Sequence, residues 1–175
     1  MLDRTVNLNI KEAYSKIKKA MLDRGCKLIS EESSNKINFK QGSLWGISPK
    51  TAKKNINVNL ETVNEGTRVS CTSTLASDWK NITLIGCAFA CILVGLCVWM
   101  AMDLSALVAN NVPGFWGWLV TFNGNVDLMA AQAFVHLTWG LAGFLSAVIL
   151  LEAVIVIYTH SKIDLFTEEI LNQFS

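Results

Sequence analysis

No lysine and no arginine occurs between Ile82 and Ser161, and fourteen of the fifteen basic residues lie between Arg4 and Lys80. Histidine is missing from the first 135 residues; the only two, His136 and His160, fall in or beside the second apolar stretch. No signal-peptide apolar core follows Asp3 and Arg4. G-x-S-x-G, H-E-x-x-H and a phosphate loop ending in GKS or GKT are all absent. Ser70, Ser73 and Ser77 have no base nearby in sequence, and Glu31-Glu32 reads as a solvated strand end. These absences argue against hydrolase, metalloprotease and nucleotide-binding chemistry, and the expectation is that the chain is not an enzyme. The five cysteines, Cys26, Cys71, Cys87, Cys91 and Cys97, follow neither zinc spacing nor a disulfide framework. The expectation is therefore no metal and no cofactor.

What is present divides the 175 residues in two. Residues 1–80 hold fourteen basic and eight acidic side chains, a balance of 14 − 8 = +6, and the rest holds Lys162 against six carboxylates, 1 − 6 = −5. A basic domain beside a bilayer suits anionic headgroups. No nucleic-acid-binding motif accompanies that charge, so nucleic acid is not expected as a partner.

The segment from Asn81 to Val108 is almost wholly apolar up to Met102, and Met129 to His160 is again long and apolar. At 1.5 Å per residue each is long enough to cross a hydrocarbon core of ~30 Å. Between them, 109–128 reads as an interfacial loop. Pro113, Gly114 and Gly117 oppose a third regular helix, and Trp116, Trp118 and Phe122 suit headgroup depth. One short helix lying flat fits there. Lys80 and Lys162 flank the spans and the loop has no basic residue, so both termini are expected in the cytoplasm of a multi-pass cell-membrane protein. Small residues, Cys87, Cys91 and Gly95 in one segment and Gly140, Gly143 and Ala147 in the other, offer close packing. Two spans bury little, so a homo-oligomer or other membrane subunits are expected beside membrane lipids.

Polar residues inside apolar helices are functional candidates. Glu152 sits in VILLEAVIV, eight residues before His160. In an antiparallel pair Cys87, Ala88 and Cys91 lie opposite it; a Cys87–Cys91–Glu152 cluster has the chemistry for a soft metal or a redox couple, and the competing, stronger expectation is simple packing of small residues. Asp103 and His136 both fall near the outer boundary, ~35 Å from the inner edge at 1.5 Å per residue. A pair between them is allowed, as a proton entry point or a hydrated contact.

In the first eighty residues, Arg4 to Ile10 alternates as a half-buried strand, and Lys11 to Arg24 carries the helical stripe Ala13, Ile17, Ala20 and Met21, stopped by Gly25. Short strands follow at Lys27–Glu31 and Lys36–Lys40, split by Ser33, Ser34 and Asn35. Lys54–Thr62 and Thr67–Leu75 form a hairpin around Asn64, Glu65 and Gly66. The tail from Ser161, with Ile163, Phe166, Ile170, Leu171 and Phe174 as an apolar stripe and Ser161 as its cap, reads as a helix. It folds back onto the sheet or lies along the inner leaflet. The fold class is thus an α+β cytosolic domain over 1–80 (a strand, a helix, four antiparallel strands), completed by a C-terminal helix over 161–175, plus a two-helix transmembrane hairpin of 81–108 and 129–160.

The stretch RTVNLNIKEAYSKIKKAMLDRGCKLISEESSNKINFKQGS, with the hairpin NVNLETVNEGTRVSCTS, covers residues 4–76. Its element order resembles the half-repeat of TATA-binding-protein-like folds and the front half of START-like lipid-binding domains. That resemblance implies an antiparallel sheet with a helix on one face and carries over no functional residue. The chain lacks the later strands that close a START-like cavity. A sheet domain plus two spans is also similar to small uncharacterised archaeal and bacterial membrane proteins.

Gln41 to Lys54, QGSLWGISPKTAKK, breaks the strand pattern. Leu44, Trp45 and Ile47, followed by Lys50, Lys53 and Lys54, read as a loop that contacts lipid or a partner, aromatic wedge first and cations behind. The competing reading puts Trp45 over one end of the core. Together these features give two expected functions. One is a membrane-anchored interaction or headgroup-binding module, as an accessory subunit or homo-oligomer. The other is a small oligomeric assembly conducting protons or ions past Glu152.

Overall fold

The computed structural model describes residues 2–33, 35–64, 66–112 and 114–174. Ser34, Glu65 and Pro113, read from the sequence as turn and loop residues, lie outside the described residues. The chain separates into two compact units, one of residues 1–82 with 154–175 and one of residues 83–153.

The first unit is an α+β fold. Strand β1 (Leu2–Val6) leads into helix α1 (Ile10–Asp23), then β2 (Lys27–Glu31), β3 (Lys36–Gln41), β4 (Lys54–Val63) and β5 (Gly66–Leu75). The five strands form one antiparallel sheet in the order β1-β5-β4-β3-β2. The first strand ends at Val6, four residues earlier than the alternation suggests, because the Asn9 side chain accepts from the Glu12 amide and starts the helix. At the other end Gly25 adopts φ +81°, and Cys26 N–H returns to the Met21 carbonyl. This left-handed cap is one that glycine makes without a Cβ clash.

Period-two alternation then sorts the faces. Ile37, Phe39, Ile56, Val58, Leu60, Val69 and Cys71 turn inward and are buried, meeting Ala13, Ile17 and Met21 of α1. Asn57 and Thr74 on the opposite face are exposed. The core is closed by helix α4 (Leu165–Leu171), whose Phe166, Ile170 and Leu171 join the same cluster. The tail therefore folds back onto the sheet. Ser161 does not cap it: helix α3 (Leu128–Ser161) runs through that residue, Ser161 Oγ donates to Tyr158 O, and α4 starts after Asp164.

Helices α2 (Ser77–Asn110) and α3 are both long and apolar enough to cross a membrane. Helix α2 is longer than its apolar run: it starts at Ser77, next to Ala76, which follows directly on β5. In the second unit Leu104 and Leu107 of α2 pack with Ala131 of α3 and Val120 of the connecting segment. That segment is more ordered than a plain loop. A 3-10 helix at Phe115–Val120 runs into a tiny hairpin of β6 (Thr121–Phe122) and β7 (Asn125–Val126). Asn123 and Gly124 turn it with φ of +50° and +78°. Asp127 then caps α3 by accepting from the amides of Met129 and Ala130.

Candidate functional site

The loop between β3 and β4 is built by its own backbone. Gly42, at φ +84°, reverses the chain where a Cβ would overlap the carbonyls of Thr51 and Ala52. Ser43 N–H donates to Thr51 O at 2.9 Å, Gly46 N–H to Ser43 O at 3.1 Å, and Ala52 N–H to Ser48 O at 2.8 Å. Inside this frame Leu44 packs on a small cluster of Ala52, Leu75, Ala76 and Trp79. Trp79, in the first turn of α2, donates its indole N–H to Gly46 O at 3.0 Å. The residues on either side of Gly46 are thereby turned out: Trp45 is 82% exposed and Ile47 70%. Trp79, not Trp45, closes this end of the core.

The lysines behind the wedge make contacts within the protein. Lys50 pairs with Glu169 on α4, and that ammonium, with Arg24 adding to it, holds the Glu169 carboxyl below its usual range. Lys53 pairs with Asp78 in the first turn of α2. Lys54 does not belong to an accessible contact surface: it is 0% exposed. Its Nζ donates to Pro49 O at 2.7 Å and Ile163 O at 3.1 Å and lies 5.1 Å from the Phe166 ring centroid. Burial pushes its ammonium down to about 8, against the Cys26 thiol and Asp164 carboxylate, which pull the other way. The parity that turns Ile56 and Val58 inward turns Lys54 inward too.

In the second unit Cys87 Sγ donates to Glu152 Oε2 at 3.1 Å, and a Cβ on Gly86 would sit 3.7 Å from Glu152 Oε1. That is an ordinary contact distance, so Gly86 and the carboxylate are neighbours across the two helices without the position requiring glycine. Cys91, one turn further along α2, is exposed. Among the described residues no group of three His, Cys, Asp or Glu side chains could hold a metal ion.

Asp103 and His136 do not form the pair allowed by their depth. His136 is exposed, and Asp103 is engaged elsewhere. Its carboxylate accepts from the amides of Trp116 at 2.8 Å and Phe115 at 3.3 Å, the first residues of the 3-10 helix. A Cβ on Gly114 would overlap it. Trp99 stacks on Phe115, with ring centroids 5.1 Å apart, and meets Trp116 edge-on at 5.3 Å.

The residues that sequence reasoning passed over are Trp79 and Gly46, whose bond joins positions 33 apart and leaves no local pattern. The Asn123-Gly124 hairpin did carry a signal, since Asn-Gly is the strongest short turn dipeptide. No protein-family model matches the chain, and no curated protein matches it.

Proposed function

We propose that the chain is a membrane-anchored docking module whose first unit rests on the cytoplasmic bilayer surface through the loop tip Trp45-Gly46-Ile47. The observation that carries this reading is the bond from Trp79 to Gly46. It fixes two exposed apolar side chains beside the first turn of α2, three residues before the apolar run opens at Ile82. A surface tryptophan and isoleucine in water would be an unfavourable display. At a headgroup boundary the indole has an apolar body to bury and an N–H to leave wet. The loop lysines act as struts: Lys50, Lys53 and Lys54 hold the wedge to α4, to α2 and to the tail. Insertion is then apolar in character. An accessory or self-associating role fits the reading.

The test is depth-dependent quenching of tryptophan emission in proteoliposomes made with brominated phosphatidylcholine. Wild type is expected to lose more emission than Trp45→Phe, and Ile47→Asp to bring wild-type quenching down towards that level. Equal quenching in wild type and Trp45→Phe rejects the wedge.

A further inference from the structure

The open face of the sheet has one row that breaks the pairing rule of its neighbours. Lys27 of β2 and Lys40 of β3 are direct cross-strand partners, and the row continues to Asn55 of β4 and Thr74 of β5. Like charges placed opposite each other repel and weaken a sheet. Elsewhere on this face the charge is balanced: Lys36, four residues before Lys40 on the same strand, has Glu32 at 2.7 Å. Arg68 of β5 stands opposite Glu61 of β4. Neither Lys27 nor Lys40 has an ion pair among the described residues; Lys40 acts on the Asp78 carboxylate at longer range, and that carboxylate already pairs with Lys53.

The position of the row is as informative as its charge. Thr74 stands three residues before Ser77, where α2 begins, and Lys40 precedes the wedge loop by two. With strands ~4.8 Å apart, Lys40 lies ~10 Å and Lys27 ~15 Å across the sheet from Thr74. Lys80, exposed in the first turn of α2, adds a third cation to the same end of the unit. All of this sits in the first unit, so the row belongs to the sheet end from which the first apolar helix departs.

We propose that Lys27 and Lys40, with the Asn55 amide beside them, bind the phosphate of an anionic lipid headgroup. The partner chemistry follows from the shape. The row is flat and open, and two ammoniums on a flat sheet are too few donors to capture a free phosphate from water. A lipid is already concentrated in the plane of the bilayer, so the second contact is effectively intramolecular once the protein is anchored. Two lysines near a surface then suffice for selection. The site deepens the docking reading, on which it rests for the sheet end facing the bilayer. It also restores to this unit the headgroup electrostatics that Lys50, Lys53 and Lys54 do not supply.

The test uses the full chain in nanodiscs of phosphatidylcholine mixed with phosphatidylglycerol, and native mass spectrometry of the lipids that stay bound. Wild type is expected to retain phosphatidylglycerol in preference, and Lys27→Gln with Lys40→Gln to cut that preference about 30-fold, at ~1 kcal/mol per lysine. The Lys27→Glu, Lys40→Glu variant is expected to reverse it. High salt acts like the neutral variant on an exposed site. An unchanged preference in both variants overturns the site. Displacement of the retained lipid by millimolar inorganic phosphate overturns the lipid assignment in favour of a free anion. Quenching of Trp45 by brominated phosphatidylcholine separates the two proposals. Lost quenching with preference intact removes the wedge alone; intact quenching with preference unchanged by the variants removes this site alone.

Discussion

Lys54 reaches the Ile163 carbonyl across 109 residues of sequence, at 3.1 Å, from a position with no access to solvent. One ammonium thus ties the start of β4, the wedge loop through Pro49 and the chain that leaves α3. An apolar side chain of similar length fills such a site at lower desolvation cost. What the charge adds is direction, two carbonyls held at once.

This buried charge makes stability depend on pH. The folded ammonium titrates at about 8 instead of 10.5, so between these values the unfolded chain holds more protons. Stability therefore rises with pH through that window, by at most ~1.4 kcal/mol per unit. The opposite sign applies to Cys26 and Cys71, whose thiols burial pushes up to about 11 and about 12 from 9.0. Above pH 9 the unfolded chain releases their protons first, and stability falls. Thermal denaturation of the full chain in detergent should show a maximum near pH 9. Lys54→Met should erase the rise below it and keep the fall above.

Gly46 has a Cβ position already occupied by the Thr51 backbone. Gly46→Ala should push the loop off Trp79, costing ~1–3 kcal/mol as overpacking does. Trp79→Phe should cost a comparable ~1–3 kcal/mol, since it leaves the Gly46 carbonyl without its donor and a smaller ring in a buried site. Hydrogen exchange checks both. The amides of Ser43, Gly46 and Ala52 should lose protection in each variant, while those of the β4–β5 hairpin keep theirs.

The Cys87–Glu152 contact supplies a third expectation. Hydrogen bonds between membrane helices contribute ~0.6 kcal/mol on average, because the separated helices also find partners. A double-mutant cycle of Cys87→Ala and Glu152→Gln, read from unfolding in detergent mixtures, should give a coupling of that order. Proton flux in proteoliposomes tests the conducting alternative. Flux that is present in wild type and abolished by Glu152→Gln, with assembly intact, would favour it over the docking module; absent flux removes it.

Much of the fold was legible because burial obeys periodicity. Ala13, Ile17 and Met21 stand at helical spacing, Ile56, Val58 and Leu60 at strand spacing, and both sets are buried. Lys54 was legible by the same rule, but its chemistry drew it into the lysine run of the loop; parity in a strand outranks side-chain polarity. Glu152 opposite Cys87 followed from counting residues along two antiparallel helices. Asp103 did not follow. Its partners are backbone amides of Phe115 and Trp116, and every residue type carries such an amide, so no side-chain pattern announces them.

That carboxylate also yields the sharpest separation of two readings. If Asp103 served a pair with His136, replacing either should disturb the same property. In the structure Asp103 holds the 3-10 helix by its first two amides, as an acidic cap does. Asp103→Ala should therefore cost ~1–2 kcal/mol locally and open the connecting segment. Exchange at Phe115 and Trp116 should rise, and a protease added to the side of the membrane that this segment faces should cut within 111–127. His136→Ala should leave both unchanged, because His136 is exposed and Asp103 keeps its partners. Asp103→Asn should sit between the two, still accepting through its amide oxygen but without the charge that strengthens the cap. Loosening of the segment by His136→Ala to the same degree as by Asp103→Ala would restore the pair.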